Sequence, residues 1–326
     1  MHGISRRGVL TGAAAGAATL GLPQWSWASG KYPDKPVKVI VPFPAGGTTD
    51  VVARLVLQKL GEAMGQSFIV DNKGGANGAI GTEQVARATP DGYTLLFNTA
   101  GAQTLTPVIY KANYEALASF EPIGLVCDVG FVLIARKDLP ANNLQELIAL
   151  ARKGDKPLSA SSGSSMLSLV TEQFKKAINA LTVINAQYKG TSPQMQAVVA
   201  GEVDFSFDSF VSVEMIKAGK VKALAVVMPQ RAESFPQVPT VKELGIQGME
   251  FGSWAGMLAP KGTPKPIVDE LAAQLAKIVK QPDVIAKLKS YDYVPRFEGP
   301  EEFGKHIQSD TDRWKRVVKE TGFKIE

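Results

Sequence analysis

Apolar and polar residues follow one another along this chain in a pattern that predicts strands and helices in turn. Short runs of β-branched and aromatic residues, typical of buried strands, lie at 37–41, 68–70 and 93–97. Between these runs, apolar residues recur at helical spacing over 50–64 and 80–88. Strands that alternate with helices at this spacing along the chain predict a parallel sheet with crossover helices.

The same pattern begins again in the second half of the chain. Strands are predicted there at 131–135, 181–184, 203–207 and 224–227, and the stretch 254–258 follows this unit. Helices are predicted at 143–152, 166–178, 192–199, 266–280 and 301–319. We therefore predict two α/β units, and a chain of 326 residues has the size at which division into two lobes is usual.

Each unit has a loop of small residues before a helix, at 45–49 in the first unit and at 159–165 in the second. Glycine lets backbone amides approach a ligand, and a helix start has unpaired N–H groups and partial positive charge. Such loops suit a carboxylate, a phosphate or a sulfate. A plain turn capped by Thr48 or Thr49 explains the first loop equally well. If the loops face each other, the ligand lies in a cleft between two lobes.

The composition argues against an enzyme, a cofactor and a metal site. The chain has two histidines, His2 and His306, and one cysteine, Cys127. Histidine acid–base chemistry is therefore nearly excluded, as are thiolate zinc sites and an intramolecular disulfide. Residues 45–49 match neither the ATP-binding Gly-Lys-Ser/Thr motif nor the dinucleotide Gly-x-Gly-x-x-Gly motif. Cys127 lies in an apolar stretch and is interpreted as a buried small hydrophobic residue.

A serine and a pair of aspartates leave two chemical functions open, nucleophilic catalysis and a carboxylate site. Ser165 lies in a small-residue loop, but this loop lacks the Gly-x-Ser-x-Gly form of a nucleophilic serine, and only His306 is left as its base. Asp204 and Asp208, four residues apart at a predicted strand end, suit proton transfer or a divalent metal. An aspartate at a strand end more often caps a turn, and Lys189 is expected to be an exposed turn lysine.

The first 28 residues indicate an export signal. Arg6 and Arg7 precede a weakly apolar run at 9–22, which is too short to span a bilayer core of about 30 Å. The arginine pair resembles the twin-arginine signal, and Ser26-Trp27-Ala28 offers small residues to signal peptidase. We predict cleavage after Ala28 and a periplasmic protein. A frayed helix or a membrane anchor is the alternative.

Net charge narrows the choice of partner. Cleavage after Ala28 removes two positive charges, Arg6 and Arg7, and so lowers the formal net charge from +5 to +3. No long basic run is present. Nucleic-acid binding requires a clustered basic face, so we expect no nucleic-acid partner. A weakly basic exported protein suits a small anionic ligand.

A collinear series of motifs runs along nearly all of residues 29–326. It comprises Pro42-Phe43-Pro44-Ala45-Gly46-Gly47 with Asp50, Ala53 and Arg54, Asp71-Asn72, Gly74 to Gly81, Pro90-Asp91-Gly92-Tyr93-Thr94-Leu95-Leu96, the loop 161–165, Tyr188-Lys189-Gly190, Gly201-Glu202-Val203-Asp204, Phe207-Asp208, Pro236-Gln237-Val238-Pro239-Thr240, Trp254-Ala255-Gly256 and Ala259-Pro260-Lys261-Gly262-Thr263-Pro264. In this order the motifs resemble the tripartite tricarboxylate transporter substrate-binding proteins, also called the Bug family of periplasmic receptors. The chain departs from the family pattern at Lys73-Gly74, where Arg-Pro is common, and at Ser168, where histidine is common.

The resemblance implies a type II periplasmic binding fold, an α/β fold of two lobes with the ligand cleft between them. Each lobe is expected to hold a mainly parallel sheet flanked by helices. The expected division is a signal peptide at 1–28, lobe 1 at 29–127, lobe 2 at 128–253 and a return to lobe 1 at 254–326.

The resemblance also implies the function of a receptor, working as a monomer without a cofactor. It captures a small mono- or dicarboxylate and delivers it to the integral membrane subunits of a tripartite transporter. The residues implied to bind the ligand are Phe43, Ala45, Gly46, Gly47, Thr48, Ser162, Gly163, Ser164 and Ser165, with Asp208 near the cleft. A sensory receptor of the same fold and an exported hydrolase are the alternative functions.

Overall fold

The computed structural model describes residues 32–153, 156–188, 190–209, 212–228, 230–247, 249 and 252–323. Its strands are β1 (Val37–Val41), β2 (Phe68–Asn72), β3 (Thr94–Thr99), β4 (Phe120–Val129), β5 (Phe131–Arg136), β6 (Ser159–Ser162), β7 (Ile184–Gln187), β8 (Phe205–Asp208), β9 (Val221–Val227), β10 (Ser253–Pro260) and β11 (Val294–Glu298). Its helices are α1 (Thr48–Met64), α2 (Ala79–Ala86), α3 (Thr106–Ile109), α4 (Leu144–Lys153), α5 (Ser165–Ala177), α6 (Thr191–Ala200), α7 (Val213–Lys217), α8 (Lys265–Ile278), α9 (Pro282–Lys289) and α10 (Pro300–Thr321). A 3-10 turn covers Ala76–Gly78, and a π-helical turn covers Gly101–Leu105.

The first sheet has six strands in the order β11-β4-β10-β3-β1-β2. Within it, β1 pairs in parallel with β2 and β3, and β10 runs antiparallel to both of its neighbours. Val39 and Ile40 are adjacent in β1, so their side chains point to opposite faces of the sheet. Neither has exposed surface. Both faces of β1 are therefore covered, which explains its unbroken β-branched run.

The second sheet has five strands in the order β7-β6-β8-β5-β9. Here β6 pairs in parallel with β7 and β8, while β5 runs antiparallel to β8 and β9. Phe205 and Phe207 lie on one face of β8 and contact Phe174 of α5 edge to face, with ring centroids 6.0 and 5.3 Å away. These contacts hold α5 against the sheet.

The predicted α/β fold class is confirmed, but both sheets are mixed rather than mainly parallel. The chain leaves the first sheet along β4, passes Gly130 into β5, and returns along β10. Because β10 enters the sheet in the direction opposite to β4, it is antiparallel to β4 and β3. β5 likewise enters the second sheet at the edge where β8 ends. The crossing strands thus add the antiparallel pairs.

Two small-residue loops lie at the strand ends where the chain crosses between the sheets. We call this side of each sheet the crossing edge. We call residues 42–47, after β1, the first loop, and residues 163–164, after β6, the second loop. Val129 at the end of β4 pairs with Ser253, so the ends of β3 and its parallel neighbour β1 lie on the crossing edge. Asp208 at the end of β8 lies beside the start of β5, so parallel β6 also ends at the crossing edge.

Some elements differ from those that the sequence pattern predicts. Ser159–Ser162, predicted as part of a loop, form β6, because small side chains fit between two neighbouring strands. β7 begins at Ile184, where the predicted strand ends. β4 lies where no strand is predicted, since Pro122 and Gly124 interrupt its apolar run.

Trp254 and Cys127 are core residues of the first sheet. Trp254 is 1% exposed, and its ring lies edge to face on Phe303 with centroids 4.8 Å apart. Its indole N–H donates to Asp310 Oδ2 at 2.8 Å. Cys127 has no exposed surface, and burial raises the pKa of its thiol. The prediction of a buried small hydrophobic residue at Cys127 is confirmed.

Both sheets belong to the compact unit that begins at Pro33. Strands before residue 130 and after residue 252 form the first sheet, and those between form the second. The division into lobes at these positions stays a prediction. Among the described residues, no helix is both long enough and apolar enough to cross a membrane.

Candidate functional site

The first loop joins β1 to α1 and turns at Gly46. Gly46 has φ 79°, a left-handed conformation that favours glycine. Gly47 is extended, with φ −77° and ψ 169°, and is the N-cap of α1. Because glycine has no side chain, the N-cap supplies no hydrogen-bond acceptor to the first turn. The helix itself supplies no acceptor for the amides of Thr48 and Thr49 either.

Asp50, in the first turn of α1, holds the first loop in place. Its Oδ2 accepts the Gly46 N–H at 2.8 Å and the Arg54 Nε–H at 2.9 Å. Its Oδ1 accepts from Asn72 Nδ2 at 3.0 Å, and this Nδ2 also donates to Phe43 O at 3.0 Å. Burial raises the pKa of the Asp50 carboxyl, but hydrogen bonds from Arg54, Gly46 and Asn72 outweigh it, and the pKa lies below its usual value.

This network changes which amides the first loop offers to a ligand. The Gly46 N–H is donated to Asp50, and the Gly47 N–H faces Pro44 O at 3.5 Å. The first-turn amides of α1 remain as the donors that the helix dipole reinforces. Of the residues implied by the resemblance, Ala45 and Gly46 are exposed at the loop surface, and Phe43 and Gly47 are half-buried.

The second loop joins β6 to α5, and the serines on either side of Gly163 are used differently from one another. Ser164 is the N-cap of α5, and its hydroxyl accepts the Leu167 N–H at 3.3 Å. Ser162 is buried at the end of β6 and donates from its hydroxyl to Asn185 Oδ1 at 2.7 Å. The Ser162 hydroxyl therefore serves the fold, while the turn at Ser164 forms the helix start.

Gly163 is held by Gln194, a residue of α6 that no sequence motif indicates. Gln194 is fully buried, its Oε1 accepts the Gly163 N–H, and its Nε2 donates to Phe207 O at 2.8 Å. A Cβ at Gly163 would overlap Gly190 O and come within 2.7 Å of Gln194 Oε1, so the close approach requires glycine. The sequence feature that could have indicated Gln194 is a polar residue at a position where the predicted helix is buried.

Elements of the two sheets meet at the start of α5. The Ser165 N–H is donated to Asn77 Oδ1 at 3.3 Å, and Asn77 lies in the 3-10 turn between β2 and α2. Gly101, in the π-helical turn after β3, packs against Met166, because a Cβ on Gly101 would lie 3.5 Å from Met166 Cβ. The start of α5 is thus in contact with the chain that follows β2 and β3.

Asp204 and Asp208 lie at opposite ends of β8 and do not form a pair. Asp208, fully buried at the crossing edge, accepts the Ser212 N–H at 3.0 Å. Asp204 pairs with Arg136 Nε at 3.0 Å and accepts the Ser159 N–H at 2.8 Å. At the usual strand rise of about 3.3 Å per residue, the aspartates are about 13 Å apart. Because the two carboxylates are this far apart and have separate partners, they do not form the pair that proton transfer or a shared metal requires, and the carboxylate-pair alternative is wrong.

His306 is not placed to activate Ser165. Its Nδ1 lies 2.9 Å from Glu298 Oε2, and its Nε2 lies 3.8 Å from Asp310 Oδ2. Both ring nitrogens thus face carboxylates of the first sheet and α10. The remaining predicted features, Lys189 and the export signal at 1–28, lie outside the described residues.

The architecture has counterparts among solved structures. The chain is similar to the periplasmic binding protein BugD, with 38% identity, a TM-score of 0.82, and coverage of 90% of this chain and 100% of that one. It is similar to Rpa4515 of R. palustris with adipate, at 32% identity and TM-score 0.84, covering 89% and 98%. It is similar to MatC (Rpa3494) from Rhodopseudomonas palustris with bound malate, at 31% identity and TM-score 0.80, covering 88% and 100%. The fold is that of a periplasmic solute-binding protein.

The family assignment is more specific than the fold. The sequence model of the tripartite tricarboxylate transporter family receptor matches residues 52–323. The chain belongs to this family, and the resemblance drawn from its motifs is confirmed. Because the family consists of receptors, the expectation of a binding protein rather than an enzyme is confirmed with it.

Proposed function

We propose that this chain is an exported receptor that captures a small organic mono- or dicarboxylate between its two loops. It then delivers the acid to the integral membrane subunits of a tripartite tricarboxylate-type transporter. The observation that carries the proposal is the N-terminus of α1, which has no side-chain cap and lies at the crossing edge. Adipate and malate in the similar proteins of R. palustris support a carboxylate as the ligand.

The first carboxylate is held by backbone amides rather than by an ion pair. Arg54 is engaged by Asp50, so the N-terminus of α1 supplies the positive potential. Micromolar affinity requires about −8 kcal/mol. Several charge-assisted hydrogen bonds at about 1.5–3 kcal/mol each supply this attraction, and lobe closure and desolvation oppose it.

Export and delivery complete the proposal. The twin-arginine segment directs the chain to the periplasm, and cleavage after Ala28 releases a monomeric receptor. Transport rather than sensing is tested by uptake: cells that lack this receptor but keep the membrane subunits should lose uptake of the bound acid and regain it with the receptor. Binding without any effect on uptake would favour the sensory role.

A substitution at Gly47 tests the amide mechanism. Gly47 has φ −77°, and a Cβ there would lie 3.4 Å from Pro44 O, so a side chain fits without left-handed strain. We expect Gly47→Val to lower the affinity for the acid more than about tenfold, or about 1.4 kcal/mol, because the valine covers the first-turn amides. Affinity is measured by calorimetry with the best acid from a thermal-shift screen of mono-, di- and tricarboxylates.

The matched control is Gly299→Val. Gly299 is also a helix N-cap, with φ −72° and ψ 179°, and it starts α10 rather than α1. This control should keep full affinity, and Lys189→Ala should cost much less than Gly47→Val. Intact binding by Gly47→Val, with binding abolished in Lys189→Ala, would show that a lysine and not the helix start holds the carboxylate.

A further inference from the structure

The two helix starts at the crossing edge differ in how many of their amides are already used. The N-cap of α1 is Gly47, which supplies no side-chain acceptor. At the start of α5, the Ser164 hydroxyl accepts the Leu167 N–H, and Asn77 Oδ1 accepts the Ser165 N–H. Two of the first three amides of α5 therefore have acceptors from the protein itself. An anion at α5 would have to compete with them.

An unusual stretch of backbone places Asn77 at this position. Residues 75–78 all have positive φ, at 127°, 47°, 51° and 88°. A backbone held in the left-handed region at non-glycine residues is strained, and such strain persists only where surrounding contacts fix it. Here Asn77 Nδ2 donates to the Tyr110 hydroxyl, and Thr106 Oγ1 donates to Asn77 O at 3.1 Å. The Asn77 carboxamide therefore has a partner at its nitrogen, Tyr110, and at its oxygen, the Ser165 N–H, while its backbone carbonyl is held by Thr106.

The strained stretch also borders the first loop. A Cβ at Gly78 would lie 2.6 Å from Ala102 Cβ and 3.5 Å from Phe43 Cζ. The turn that carries Asn77 is therefore packed against Phe43 on one side and reaches Ser165 of α5 on the other. Asn77 lies between the two loops, and its carboxamide oxygen faces an amide of the second helix start.

We propose that Asn77 is the residue that determines how the site ranks acids by their second end group. Its carboxamide oxygen holds the Ser165 amide that a second carboxylate would need, so the site favours acids whose far end is uncharged. The inference rests on the proposed function and states its ligand class more narrowly.

Two pairs of acids of equal length test the proposal: hexanoate with adipate, and butyrate with succinate. Each pair differs only in the second carboxylate. The variant is Asn77→Gly, because glycine keeps the left-handed conformation while removing the carboxamide. The matched control is Asn179→Gly, an exposed asparagine at φ 52° near the end of α5. Dissociation constants are measured by calorimetry, and folding is checked by cooperative thermal unfolding.

We expect Asn77→Gly to shift the affinity ratio toward the dicarboxylate about tenfold, while Asn179→Gly leaves the ratio unchanged. Asn77→Asp, which keeps the acceptor and adds a charge, should shift the ratio the other way. Equal changes for both acids, or a selective loss of the dicarboxylate in Asn77→Gly, would overturn the proposal. If the wild-type protein binds no acid at all, the proposed function fails; if it binds acids but the ratio does not move, only this inference fails.

Discussion

The carboxylate of Asp50 accepts the backbone amide of Gly46 at 2.8 Å, from four residues further along the chain. This contact fixes the left-handed turn of the first loop from inside the helix that the loop precedes. The second loop is held in a similar way, since Gln194 accepts the amide of Gly163. In both loops a side-chain oxygen holds a glycine amide, so the loop shape depends on a residue outside the loop.

Asp50→Asn should destabilise the protein in a pH-dependent way. The pKa of Asp50 is lowered in the folded protein, so its stabilisation is present above the unfolded pKa of about 3.9 and is lost as the pH falls through the folded value. We expect a loss of about 1–3 kcal/mol at pH 7, because hydrogen bonds to a buried charge are removed. The difference from wild type, measured by urea unfolding, should shrink below about pH 4.

The control for Asp50→Asn is Asp269→Asn. Asp269 is also one turn from its cation, Lys265, but both side chains are largely exposed. Exposed helical pairs contribute little, so this variant should unfold like wild type at every pH. A difference between Asp50→Asn and wild type that is constant from pH 7 to pH 3 would contradict the ionised role of Asp50.

Gln194→Glu should bind the acid with an affinity that recovers at low pH. An ionised glutamate accepts the Gly163 N–H but cannot donate to Phe207 O, which leaves a buried carbonyl without its donor. Protonation restores a donor beside an acceptor and so imitates glutamine. We expect an affinity about tenfold below wild type at pH 8 and close to wild type at pH 5.

Gln194→Met provides the matched control, since its side chain fills the same volume and cannot titrate. Its affinity, divided by that of wild type at each pH, should be low and flat. Dividing by wild type also removes the effect of the ligand's own protonation. If Gln194→Glu gives the same flat profile, Gln194 does not act through its hydrogen bonds to the second loop.

Trp254→Phe should weaken the fold and leave ligand affinity unchanged. The substitution removes the indole N–H that donates to the buried carboxylate of Asp310 at 2.8 Å. Asp310 keeps its ion pair with Arg313 at 2.9 Å, so its buried carboxylate still has a partner in the variant. We expect a loss of about 1–3 kcal/mol in chemical denaturation. A change in ligand affinity instead of stability would place Trp254 in the cleft wall rather than in the core.

Export should depend on the arginine pair of the precursor. Changing Arg6 and Arg7 to lysine keeps the charge but removes the twin-arginine signature. The double variant should remain in the cytoplasm as uncleaved precursor, which cell fractionation and immunoblotting detect. Normal periplasmic accumulation of the cleaved chain would rule out the twin-arginine route and leave the receptor function untouched.

Local sequence patterns were sufficient to predict the strands and helices that flank the first loop. The β-branched run of β1 and the helical spacing of α1 place the first loop between them, and the structure has both elements there. β6 was missed because Ser159–Ser162 have low strand propensity and are stabilised by their two neighbours in the sheet. The direction of β10 depends on where the chain crosses, which no local pattern contains.

The candidate site was predicted less completely than the fold. The sequence indicated loops of small residues, yet it could not show that the Gly46 amide is already donated to Asp50. It also gave no reason to single out Asn77 or Gln194, whose partners lie 88 and 31 residues away in the chain. Hydrogen bonds between distant segments decide which amides are used, and they follow from tertiary packing.

The most direct test of the central claim compares an acid with its neutral isostere. The best carboxylate from the screen and its primary amide have nearly the same shape, but only the acid carries the negative charge that the N-terminus of α1 attracts. Calorimetry on the protein without residues 1–28 should give saturable binding of the acid near micromolar affinity, with the amide weaker by more than about tenfold. Equal affinities for the acid and the amide, or no acid that binds, would contradict the account.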